Sequence, residues 1–250
     1  QYTQDNDEQY PRGFINCSST ACGANTQGTG AGWAGQVFPY VKSVEAYACP
    51  SNPIGTRARD VAYGINMVLT FSLTGGTPNT ALGANAKVAA LTAPVKTVML
   101  FEAMPLGTDV ALEHQNQFTR NSGANSVGGY GWPGRIHATN DYATAFGYYA
   151  TGAMGGGQGN RAVTDYSTTA EVAAGTKKQH VMVGRHLEGS NFLLADGHVK
   201  WYKGDQVSNS WMARNSTDAQ GADNTDPRNS RAQGTEYAGA DAFQVTFSTR

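Results

Sequence analysis

The stretch RHLEGSNFLLADGHVKWYKG, Arg185 to Gly204, places His186 ahead of Asp196-Gly197-His198, with nine residues between His186 and Asp196. An imidazole and a carboxylate in one short segment are the residue types of a general base or a metal ligand set. Glu102, closing the apolar run KTVMLFE, extends this to a His/Glu/Asp cluster. Hydrolysis on such a cluster requires His186, Glu102 and Asp196, with or without His198, to converge on one metal or water. The chain offers no nucleophile elbow, no His-Glu-x-x-His and no phosphate loop beside it. The plainer reading carries more weight. Asp-Gly between two β-forming runs is a hairpin turn, and His186 hydrogen-bonds a loop backbone or Glu102. On this reading the chain is not an enzyme.

The elements that position these residues follow from that turn. A two-residue type I′ loop at Asp196-Gly197 pairs Ala195 with His198, Leu194 with Val199, Leu193 with Lys200, Phe192 with Trp201 and Asn191 with Tyr202. Side chains alternate across a strand, so Phe192, Leu194, Val199 and Trp201 then share one apolar, core-facing side. A slip of one residue would exchange the faces.

The chain has 250 residues, 40% of them hydrophobic, which suffices for a buried core in a single domain, 1–250. Formal net charge is -1, and no basic patch or charge run appears, which excludes electrostatic capture of nucleic acid or of an anionic membrane. Charged residues make up only 15% while glycines number 31, the profile of a strand- and loop-rich extracellular protein. No run in these residues reads as a membrane span or a signal peptide. Three cysteines, Cys17, Cys22 and Cys49, leave all three pairings open. Cys17–Cys22 around SSTA is preferred, with Cys49 as the alternative partner of either; metal binding by the three is the weaker reading.

Along the chain, QYTQDNDEQY reads as the polar end of a helix halted by Pro11, so that residues 1–12 are its last turns. WAGQVFPYVKS has helical spacing of Trp33, Val37, Phe38 and Val41, and YACPSNP is a turn. VAYGINMVLTFSL and PVKTVMLFEA read as strands, and residues from about 104 to 180 as a Gly-, Asn- and Tyr-rich insertion. Residues 181–250 form a C-terminal sheet region with a short helix at DQVSNSWMAR and an alternating strand at DAFQVTFSTR. Tyr130 and Trp132 of the insertion are candidates for stacking on surface glycans or packing on a neighbouring subunit. Phe243, Val245 and Phe247 lie on a terminal strand free to pair with a sheet edge of a second copy.

Six segments in order, QYTQDNDEQYP, GWAGQVFPYVKS, YACPSNP, VAYGIN, KTVMLFE and RHLEGSNFLLADGHVKW, resemble the pilin-like proteins of the bacterial prepilin-type H-x9-DG family, whose motif residues correspond to His186, Asp196 and Gly197. The resemblance implies an α+β, pilin-like fold, with an N-terminal helix packed on an antiparallel sheet. It also implies secretion by a type II secretion or pseudopilin-like route to the cell surface. The hydrophobic first half of the family's helix is not among these residues. The implied work is that of an extracellular structural subunit, a homo-oligomer forming a filament or tube by self-association; the alternative is a secreted metal-dependent hydrolase or carbohydrate-binding module. Pseudopilins often order a C-terminal loop with calcium, and NSTDAQGADNTDP offers Asp218, Asp223 and Asp226 as oxygen donors for Ca²⁺.

Overall fold

The structure is a computed structural model that describes residues 1–11, 33–51, 61–70, 72–74, 77–79, 87–106, 130–131, 151, 154, 184–208, 213–221 and 232–250. Its helices are α1 (Tyr2–Asp5), α2 (Trp33–Val41) and α3 (Met67–Thr70). Its strands are β1 (Val61–Asn66), β2 (Ser72–Thr74), β3 (Thr77–Asn79), β4 (Val98–Leu106), β5 (Tyr130–Gly131), β6 (Gly189–Leu194), β7 (Val199–Lys203), β8 (Val207–Ser208) and β9 (Val245–Thr246). The fold is α+β: a small helical part lies beside four antiparallel strands in the order β1-β4-β6-β7, with β5 parallel to β1 at the far edge. No described helix is long and apolar enough to cross a membrane.

Both faces of the sheet are covered. On one, α2 buries Trp33 and Ala34 against Val61, Ile65 and Tyr47, with Leu100 and Tyr63 packed at the margin. Tyr47 anchors that contact, since its hydroxyl donates to the Ala34 carbonyl at 3.1 Å and its ring tilts against Trp33. On the other face Val98, Phe101, Phe192 and Leu194 meet Met154, Val207, Val245 and Phe247. The spacing of Trp33, Val37 and Phe38 therefore forms the expected helix, and Pro39 is tolerated in its last turn.

Other expectations need correction. Helix α1 stops at Asp5, well before Pro11, and Asp7 and Glu8 have positive φ. Tertiary contacts override the helical pattern there: Val88 N donates to the Glu8 carbonyl at 3.0 Å, and buried Tyr10 donates its hydroxyl to the Ala195 carbonyl at 2.9 Å. The strand expected from Val61 to Leu73 breaks at Asn66. Its side chain accepts from Val68 N and donates to the carbonyls of Val98 and Phe247, so the chain turns into α3 instead. The run DQVSNSWMAR opens not as a helix but as a 3-10 turn, Gly204–Gln206, leading into β8. Of the insertion, only residues 104–106, 130–131, 151 and 154 are described.

The hairpin forms one register away from the expected one. Leu193 pairs with Val199, Phe192 with Lys200, Asn191 with Trp201 and Ser190 with Tyr202. The loop is three residues long, Ala195, Asp196 and Gly197, with Gly197 at φ 95°. Ala195 is drawn out of the ladder because its N–H donates to the Thr97 carbonyl at 2.9 Å while its own carbonyl accepts from Tyr10. Phe192 and Leu194 face the core as expected, but the slip turns Val199 and Trp201 outward, 63% and 43% exposed.

Candidate functional site

Glu102 sits where β4 lies beside β6, on the face that α2 covers, and is 1% exposed. Burying a carboxylate requires hydrogen bonds. Asn191 of β6 provides two, from its backbone N–H at 3.0 Å and its side-chain amide at 3.1 Å, both to Oε1. The other oxygen, Oε2, faces His186 Nε2 at 3.1 Å and Arg185 Nη1 at 3.9 Å. Nε2 is close but not aligned with Oε2, which closes no hydrogen bond.

His186 is held by a turn the sequence did not announce. His186 N donates to the Gly189 carbonyl at 2.9 Å and Gly189 N returns to the His186 carbonyl at 3.1 Å, while Leu187 and Glu188 between them have φ of 52° and 68°. This is the geometry of a type I′ turn, placed at the opposite end of β6 from Asp196-Gly197 and built without glycine or asparagine at its centre. Trp201 Nε1 donates to the His186 carbonyl at 2.8 Å from the neighbouring strand. A Cβ at Gly189 would collide with the Trp201 ring, so only glycine admits that contact.

The third member arrives from far away in sequence. Cys49, at the end of the segment after α2, carries a free, buried thiol whose Sγ lies 3.6 Å from His186 Nε2. Cys49 is therefore not the disulfide partner of Cys17 or Cys22, which lie outside the described residues. Cys49, Glu102 and His186 each present a ligand atom within 4.8 Å of the other two, the one such convergence among the described residues. Tyr63 of β1, opposite Glu102 in the ladder, borders the group. Burial raises its phenol above the usual range, nearby Cys49 and Glu102 raise it further, and Arg185 offsets part of this.

Asp196 and His198 do not join this site. They pair with each other at the hairpin tip, Oδ2 to Nδ1 at 2.7 Å, and Oδ1 accepts from His198 N at 3.1 Å. The length of β6 separates them from His186, about 17 Å at the usual rise per residue. Burial pushes the Asp196 carboxyl up, but His198, through its backbone N–H and ring, outweighs this and holds it below the usual range. The motif residues thus divide: Asp196 and Gly197 close the turn, and His186 belongs to the Cys49/Glu102 group.

An apolar cleft of about 480 Å³ opens next to that group, lined among others by Trp33, Tyr47, Tyr63, Leu193 and Val199, with Asn191 as a shared wall. The proposed calcium loop looks different. Asp218 accepts from Arg214 N and Nε, both at 3.0 Å, and from the Asn215 amide at 3.0 Å, so both its oxygens are engaged by donors that include a guanidinium. Asp218 in this arrangement does not fit a Ca²⁺ ligand, and Asp223 and Asp226 lie outside the described residues. Val245 and Phe247 are buried in the core of their own chain and are not available as an assembly surface. Phe243 is half-buried, its N–H held by the Gln233 side chain. Tyr130 is described only as backbone, paired with Ile65, and Trp132 is outside the described residues.

No family model, curated protein or solved structure matches the chain.

Proposed function

We propose that the chain is the extracellular part of a pilin-like structural subunit that works by associating with copies of itself. The observation that carries this reading is the edge of the sheet at β7. Among the described residues β7 pairs only with β6; at one end of its outer row Lys203 N donates to the Gln206 side chain, and Val199 and Trp201 stand exposed along the strand. An open edge strand beside exposed apolar side chains is a ready template for a second strand. Val199 also forms one rim of the apolar cleft and exposed Val41 of α2 another, which continues the sticky surface away from the edge. The motif run through His186 and Asp196-Gly197 supports the pilin-like assignment and, with it, secretion to the cell surface; the helix on the sheet is α2 rather than the N-terminal helix of that fold, of which only the four-residue α1 is described.

The same geometry argues against proton-relay catalysis. In a nucleophile–His–acid relay, thiol and carboxylate sit on the two different ring nitrogens, so that one orients the ring while the other gives up its proton. Here Cys49 and Glu102 both approach Nε2. Sedimentation equilibrium of the purified protein tests the function. Concentration-dependent oligomers that Val199→Lys weakens at least tenfold are expected. A chain that stays monomeric at high concentration, or oligomers indifferent to Val199→Lys, would overturn the reading.

A further inference from the structure

We propose that Cys49, Glu102 and His186 bind one borderline-soft divalent cation of the zinc class. The inference is independent of the assembly reading and rests on the shape and chemistry of the three groups. Thiolate, imidazole and carboxylate are together the donor set that such ions select. A tetrahedral zinc ion with its usual bond lengths separates nitrogen and oxygen ligand atoms by about 3.3–3.5 Å and a thiolate sulfur from either by about 3.5–3.7 Å. The observed separations are 3.6 Å from Sγ to Nε2 and 3.1 Å from Nε2 to Oε2. Two of the three separations therefore already stand near the spacing an ion would impose, and the third, Sγ to Oε2, is within 4.8 Å.

The surroundings agree. Oε2 is buried, aimed into the group and without a hydrogen bond, with the Arg185 guanidinium 3.9 Å away, so the atom is free to accept a further partner. Asn191 holds Oε1 from outside and fixes the carboxylate's orientation, as an outer partner of a metal ligand does. Leu187 and Glu188 keep left-handed backbone conformations directly after His186, and strain of this kind collects where a side chain must be aimed. Arg185 lies 3.9 Å from Oε2 on the protein side of the group. On binding, Cys49 Sγ–H releases its proton to solvent, and the resulting thiolate and the Glu102 carboxylate together match the two charges of the ion. His186 is 29% exposed at the side chain, so it is the ligand that reaches water and the one past which the ion enters. The bound ion joins the segment after α2, strand β4 and the turn ahead of β6.

Cobalt(II) is the probe, because a thiolate ligand gives it a near-ultraviolet charge-transfer band and four-coordination gives strong visible bands. Full-chain protein, freed of metal with a chelator, is titrated with Co²⁺ and then with Zn²⁺ in competition. Expected are both sets of bands, saturating at one equivalent, displaced by Zn²⁺, and a raised melting temperature with either ion. Cys49→Ser abolishes the charge-transfer band, and Glu102→Gln and His186→Ala each weaken binding at least about tenfold. Since Cys49→Ser could lose the fold, Cys17→Ser/Cys22→Ser, whose sole thiol is Cys49, is measured alongside and keeps the band. No saturable binding in the natural chain, binding indifferent to Glu102→Gln and His186→Ala, or a band lost in Cys17→Ser/Cys22→Ser would each overturn the proposal.

Discussion

Phe247 meets Phe101 edge-on, ring centroids 5.3 Å apart, which ties the end of the chain to the central strand β4. Both rings are fully buried, and Asn66 at the end of β1 bonds the carbonyls of Val98 and Phe247 from one side-chain amide, so β4 and the C-terminal segment are joined a second time. The C-terminal segment is a closing element of the fold. Deleting 241–250 is therefore expected to unfold the monomer, and Phe247→Ala to cost about 3–5 kcal/mol in urea denaturation. A folded monomer after the deletion would return this segment to the list of assembly surfaces.

Gly197, at φ 95°, has open space where a Cβ would stand, so any cost of replacing it is backbone strain alone. Gly197→Val should lose about 1–3 kcal/mol, and Gly197→Asn less than about 1 kcal/mol, because asparagine tolerates the left-handed region. Equal losses in the two variants would point to something other than φ.

Leu187 is 91% exposed and held at φ 52°, so it contributes strain without burial. Leu187→Asn is expected to raise stability by roughly 0.5–1 kcal/mol. Thermal melts of the two proteins without metal decide this, and a lowered melting temperature would show that the leucine makes a stabilising contact.

Tyr10 and Tyr47 predict a loss of stability in alkali. Burial pushes both phenols up to about 12, with Asp196 and Glu8 adding to the effect at Tyr10. A phenol with a raised folded pKa keeps its proton longer in the folded chain than in the unfolded one. Its stabilising contribution is whole below about pH 10 and falls away as pH climbs toward 12. Tyr47→Phe should flatten the decline measured between about pH 10 and about pH 12. An unchanged slope in that variant would place the cause elsewhere.

What the sequence determined by itself was local. The spacing of Trp33, Val37 and Phe38 marked α2, the alternation of Phe192 and Leu194 marked the inner face of β6, and Asp196-Gly197 marked a turn. Each of these depends on side chains within a few positions of one another, where periodicity and turn chemistry act. The register of the hairpin needed more, because it was set by Thr97 and Tyr10 pulling Ala195 aside. The type I′ turn at Leu187 and Glu188 had no sequence signal, since neither residue favours positive φ and only the surrounding contacts hold them there. Sequence singled out His186 and Glu102 by type, but offered Asp196 as their partner because it was near along the chain. Cys49 is 137 residues from His186, and no local rule pairs residues at that distance. The packing of α2 against the sheet, which carries the segment ending in Cys49 to β4, made that choice, because burial of Trp33 and Tyr47 leaves the thiol beside the imidazole.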